Sequence, residues 1–147
     1  MIFKATIEDV REITEASQHF RNETDFVPVD VETCVKSYTT AIQKGYGAMF
    51  AFRNNINFIV GALGCVKAPD LHYPRIIATE TFWYVSPFCR KSGIGIELLN
   101  AFENWAKEEK CDYTAMIHLS DSYPEVLENL YIQRGYNLIE KHYLRKV

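Results

Sequence analysis

A chain of 147 residues falls within the size of one domain and is long enough to bury a core without disulfides or a structural metal. With 48% hydrophobic, 24% charged and 14% aromatic residues, it is neither disordered nor fibrous. A net charge of −3 excludes the overall basic footprint on which non-specific nucleic-acid binders depend.

The opening residues, Met1 to Thr6, run straight into an acidic, periodic segment, so no signal peptide is expected. The longest run without polar or charged residues, Phe58 to Val66, has nine residues against the ~20 that a spanning helix needs, and no membrane segment is expected. Cys34, Cys65, Cys89 and Cys111 lie 31, 24 and 22 residues apart with no C-x-x-C pair. The expectation is four reduced thiols acting as small hydrophobes in a cytoplasmic protein, with no metal site.

A short strand, Ile2 to Ala5, meets Thr6 as a candidate N-cap, after which Ile7, Val10 and Ile13 recur at helical spacing. A second helix follows Asp30, with Val31, Val35, Tyr38 and Ile42 on one face and Gly45 as its stop. Tyr46 to Arg53 and Ile56 to Lys67 read as a hairpin turning at Asn54-Asn55, and Ile76 to Val85 as a further strand. A long amphipathic helix opens near Gly93 and buries Leu98, Phe102, Trp105 and Ala106. Cys111 to Leu119 returns as a strand. Ser122-x-x-Glu125, with Pro124 in the first turn, has the form of a capping box for a helix that stops at Gly135, and Tyr136 to Val147 is expected to close as a strand. No repeat or linker interrupts this order, which predicts one mixed-sheet α/β domain over residues 1–147.

The stretch Val85-Ser86-Pro87-Phe88-Cys89-Arg90-Lys91-Ser92-Gly93-Ile94-Gly95 leaves a strand and enters a helix. Its glycines permit close backbone approach, the N–H groups at a helix start favour an anion, and Arg90 and Lys91 add charge-assisted donors: in outline, a pyrophosphate cradle. A glycine-eased helix start is the alternative for a lone G-x-G. A Walker A loop would need Lys-Ser/Thr after its last glycine, where Ile96-Glu97 stand, and the dinucleotide fingerprint would need a third glycine or alanine where Leu98 stands.

Val85-x-Pro87-x-x-Arg90-x-x-Gly93-x-Gly95 resembles the acyl-CoA-binding signature of the GNAT superfamily of N-acetyltransferases, and Leu130-Tyr131-x-x-x-Gly135-Tyr136 resembles its later L-Y-x-x-x-G-F segment. The resemblance implies a single α+β domain. Its central sheet would be mixed and mostly antiparallel, flanked by about four helices, with two strands splaying to form the acyl-CoA cleft. It further implies that backbone groups of Trp83, Tyr84 and Val85 meet the pantetheine arm of acetyl-CoA, and that Arg90, Lys91, Ser92, Gly93, Ile94 and Gly95 wrap its pyrophosphate. The chemistry implied is attack of an amine on the acetyl thioester, which calls for a base to take the amine proton and an acid for the leaving thiolate.

Glu80 is the candidate base, because desolvation inside a hydrophobic strand raises a carboxyl pKa; the alternative is an ion pair with a nearby base such as Arg75. Tyr131 matches the family tyrosine that serves the CoA sulfur, and it could equally be a packed helix residue. His118 is a second candidate for the base or a water chain. Many family members carry an asparagine seven residues before the helix tyrosine. Pro124 stands there in this chain, so that cofactor contact is lost or supplied by Ser122 or another group.

In the first 33 residues eight acids face three bases, and Phe20, Glu23, Asp25 and Phe26 would suit a cationic amine; a solvated helix face would explain the same charges. The C-terminal end is basic, with Lys141, Arg145 and Lys146 against Glu140. The expected partners are a small-molecule or protein amine, not nucleic acid or membrane, with a homodimer compatible with the edge strands. The rival to an N-acetyltransferase is a non-catalytic acyl-CoA-binding sensor or interaction module of the same fold.

Overall fold

The computed structural model describes residues 1–19 and 29–147. They divide into two compact units, Met1–Ile117 and His118–Val147. Among the described residues the first unit holds a five-stranded open sheet in the order β1 (Ile2–Lys4), β2 (Gly47–Arg53), β3 (Ile59–Pro69), β4 (Ile76–Val85) and β5 (Tyr113–Ala115). Strands β1 to β4 pair antiparallel and β5 runs parallel to β4, which makes the sheet mixed and mostly antiparallel as predicted. Helices α1 (Val10–Ser17) and α2 (Val31–Gln43) precede β2, and α3 (Ile94–Glu108) supplies the crossover that a parallel pair requires.

Local chemistry sets the ends of these elements. Asp30 is extended and its carboxylate accepts the Thr33 N–H at 2.8 Å, capping α2 where the sequence places its start. Gly45, at φ +73°, turns the chain out of the helix. Thr6 does not cap α1. It gives both its N–H and its hydroxyl to the Asp9 carboxylate, each at 2.9 Å, and the turn so closed delays the helix to Val10. In the β2–β3 hairpin the Asn54 side chain accepts from Ile56 and Phe58 N–H at 3.1 and 2.9 Å.

Alternation along β3 assigns the two faces of the sheet. Ala62 clusters with Val10 and Ile13 of α1, Met49 and Ala51 of β2, and the half-buried Val35, Tyr38 and Phe82. Gly61 faces α3 instead: a Cβ there would stand 3.0 Å from Ile94 and 3.1 Å from Leu98. On α3 the residues Leu98, Leu99, Phe102, Trp105 and Ala106 are buried, and each large side chain contributes roughly 1.5–3 kcal/mol by leaving water.

β5 is shorter than the predicted Cys111 to Leu119. It pairs with β4 over three positions, Ile77 with Tyr113, Ala78 with Thr114 and Thr79 with Ala115. The start of this pairing is clamped. Asp112 accepts the Ile76 N–H on its carboxylate at 2.7 Å and returns its own N–H to the Ile76 carbonyl at 2.8 Å. Arg75 lies 4.9 Å from the centre of the Tyr113 ring and 5.8 Å from that of Tyr73, and its Nε donates to Asp70 at 2.6 Å.

The second unit contains α4 (Pro124–Gln133). The capping box does not form: Tyr123, at φ +50°, occupies the N-cap position and no side chain caps the helix. Pro124 fills the first helical position, where its missing N–H is no loss. The helix ends where predicted, with Gly135 at φ +87° and the Tyr136 N–H donating to the Tyr131 carbonyl at 2.9 Å. The closing strand expected over 136–147 is not formed; these residues are neither helix nor strand. Adjacent apolar pairs, Leu138-Ile139 and Tyr143-Leu144, break the two-residue alternation that would bury one face, and all four side chains are exposed.

Candidate active site

The turn between β4 and α3 begins with a single 3-10 turn, Pro87–Cys89. Arg90 then reaches back and its Nε donates to the Val85 carbonyl at 3.0 Å, tying the turn to the end of β4. The Ser92 hydroxyl donates to the Cys89 carbonyl at 2.5 Å. Lys91 and Gly93 take left-handed conformations, φ +67° and +89°, and Gly93 is the N-cap of α3 with no side-chain cap on the helix. The helix start therefore offers backbone donors and the positive end of a dipole.

The two glycines have different tasks. A Cβ at Gly93 would meet nothing within 4 Å, so glycine answers there to the backbone conformation and leaves open space over the helix start. A Cβ at Gly95 would lie 3.3 Å from the Trp83 ring, so its smallness lets α3 settle against the end of β4. Tyr84 and Ile94 are buried and Val85 is half-buried.

Glu80 is the first residue of β4 beyond its pairing with β5. Its residue is 4% exposed and one carboxylate oxygen accepts the Ile117 N–H at 3.1 Å. Arg75, the ion-pair partner considered from sequence, is bound to Asp70 instead. Burial pushes the Glu80 carboxyl up to about 8, the Ile117 hydrogen bond pulling it back in part. A carboxyl so tuned exchanges protons near neutral pH, as a general base must.

Sequence reasoning missed the irregularity beside it. Gly64 pairs with Phe82 and Cys65 with Glu80, which leaves Thr81 as the extra residue of a β-bulge. The Thr81 hydroxyl is hydrogen-bonded to that of Tyr38 from α2. Ser37, Tyr38, Ala41, Tyr46, Val66 and Thr81 line a cavity of about 220 Å³ on this face.

In the second unit Tyr131 is buried, with its ring 6.2 Å from and nearly parallel to that of His118, and 5.8 Å from that of Tyr136. His118 Nδ1 is buried without a hydrogen-bond partner among the described residues. Ser122 is also buried, and its N–H donates to the Leu119 carbonyl at 3.1 Å. Phe20, Glu23, Asp25 and Phe26 lie outside the described residues. Among the described residues no cluster of three or more His, Cys, Asp or Glu could hold a metal ion, and no helix is long and apolar enough to cross a membrane.

Residues 7–136 match the acetyltransferase (GNAT) family, and the chain belongs to it. Solved structures share the fold at low identity. A predicted acetyltransferase with acetyl-CoA from Clostridium acetobutylicum superposes with a TM-score of 0.78 at 15% identity, covering 99% of this chain and 95% of that one. The aminoglycoside antibiotic 6'-N-acetyltransferase from Acinetobacter haemolyticus gives 0.74 at 16%, and a Trypanosoma brucei acetyltransferase 0.74 at 15%; each covers 100% of this chain and 99% of its own. No curated protein sequence matches.

Proposed function

We propose that residues 1–147 form one N-acetyltransferase domain that moves an acetyl group from acetyl-CoA to a primary amine. The observation that carries this reading is Glu80, a carboxyl buried just past the last β4–β5 pair with the Ile117 N–H on one oxygen, its pKa raised by burial to about 8. The residues present fit an acyl-CoA. The α3 start lacks a side-chain cap and opens over Gly93, and the end of β4–β5 pairing at Thr79 would suit a pantetheine arm along Trp83, Tyr84 and Val85. Arg90 to Gly95 would hold the pyrophosphate.

In this reaction the amine nitrogen bonds to the acetyl carbon, the carbon–sulfur bond breaks, Glu80 takes the amine proton and Tyr131 gives one to the thiolate. Because an alkyl amine is protonated at neutral pH (pKa near ~10.4), a base is needed to free its lone pair. The acidic first 33 residues, Glu23 and Asp25 included, favour a cationic acceptor, small molecule or protein. The setting that agrees with four thiols and no paired cysteines is the cytoplasm.

The test is CoA release from acetyl-CoA across a panel of amines. Glu80→Gln and Tyr131→Phe should retain acetyl-CoA affinity and slow turnover about 10²-fold or more, and the alkaline rise in kcat/KM, with a midpoint near 8, should vanish in Glu80→Gln. Unchanged turnover in both variants refutes the roles; acetyl-CoA binding without release on any amine points to a non-catalytic acyl-CoA-binding module.

A further inference from the structure

The bulge decides which way Glu80 faces. In an unbroken strand Glu80 and Phe82, two residues apart, would share a face. With Thr81 inserted, Phe82 stands opposite Gly64 on the α1–α2 face, while Glu80 stands opposite Cys65, on the same face as Gly61 and therefore of α3. Removal of the bulge would swing the carboxyl onto the Tyr38 side.

Something must hold an extra residue whose ladder partner is missing. Tyr38 reaches from α2 across Gly64, its hydroxyl bonded to that of Thr81 and its ring meeting Phe82 edge-on at 5.7 Å and 81°. The reach depends on Gly64: a Cβ there would stand 2.6 Å from the Tyr38 hydroxyl and 2.4 Å from the Phe82 ring.

We propose that Tyr38 is a positioning residue that latches the bulge through Thr81 and so fixes the Glu80 carboxyl on the α3 face. This rests on Glu80 as the base. The Glu80 charge bears on Tyr38 of α2 and on Cys65 of β3, which Cys111 also touches electrostatically, while the shift of Glu80 itself comes from burial and the Ile117 N–H. β5 is followed by the Ile117 N–H, and α3 brings apolar side chains. Burial holds the Tyr38 phenol above its ordinary range and pushes the Cys65 thiol up to about 12. Both are neutral when Glu80 titrates, so loss of the Tyr38 hydroxyl removes no charge, and a changed Glu80 titration reports its position and hydration.

The experiment follows the Glu80 carboxyl carbon by NMR in full-length protein labelled at glutamate, the resonance being assigned by its loss in Glu80→Gln. Tyr38→Phe and Thr81→Val should each lower the titration midpoint by about one pH unit or more as water reaches the freed carboxyl. Thr81→Ser, which keeps the hydroxyl, should retain the parent midpoint. If both hydroxyl deletions lower Tm but leave the midpoint in place, the contact is structural only and the proposal falls. A parent midpoint near the ordinary 4.5 would sink Glu80 as the base, a separate failure that the parent protein reveals without any variant.

Discussion

The Glu80 carboxylate accepts the backbone N–H of Ile117, a residue two positions beyond the end of β5. A side chain of one strand thus replaces the ladder bond that the neighbouring strand ceases to supply, at the place where the two part. The same bond orients the carboxyl and moderates the cost of its burial, since an N–H donor favours the ionised form.

Stability should fall as pH rises because of this one group. The unfolded chain releases the Glu80 proton near 4.5 and the folded chain near 8, so between those values folding takes up a proton. The contribution is greatest below 4.5, declines by up to ~1.4 kcal/mol per pH unit, and levels off above 8. Urea denaturation across this range should show Glu80→Gln gaining on the parent protein as pH rises; parallel curves would contradict the raised carboxyl.

Gly93→Ala should cost about 1–2 kcal/mol, from the left-handed backbone alone, because its Cβ meets no neighbour. Gly93→Asn should cost less, since asparagine tolerates that conformation. Both should weaken acetyl-CoA binding more than Gly45→Ala, which carries a similar φ far along the chain from the cradle. Denaturation curves and calorimetric titration with acetyl-CoA separate the two effects.

Gly64→Ala should destabilise by about 1–3 kcal/mol by overpacking against Phe82 and Tyr38. Combining it with Tyr38→Phe, which removes one of the three clashing atoms, should cost less than the sum of the single changes. Strict additivity in a thermal or urea series would count against the packing described.

The parts of this molecule visible in sequence are those governed by local rules. β4 runs from Ile76 to Val85 as its β-branched and aromatic run indicates, Asp30 caps α2, and Gly45 and Gly135 end helices through positive φ. The Thr81 bulge is not local: it exists in the register of β4 against β3, and nothing in T-E-T-F-W marks it. Tyr38 was hidden for a related reason. It fits the apolar helical stripe of Val31, Val35 and Ile42, where a tyrosine reads as core, and its hydroxyl gains meaning only once Gly64 and Thr81 lie beneath it. Ser122-x-x-Glu125 misled because the pattern fits a cap while Tyr123 and Pro124 move the helix start by one residue.

The clamp at Asp112 gives the splay a mechanical character. Two strands pinned at Ile76 and joined over three pairs form a wedge with a fixed apex. Past Thr79, its last partner on β5, β4 continues six residues to Val85 along its ladder with β3, about 20 Å at ~3.3 Å per residue. The Arg75–Tyr113 corner thus marks where β4 and β5 begin to pair, at the opposite end of the strand from the Pro87–Gly95 turn.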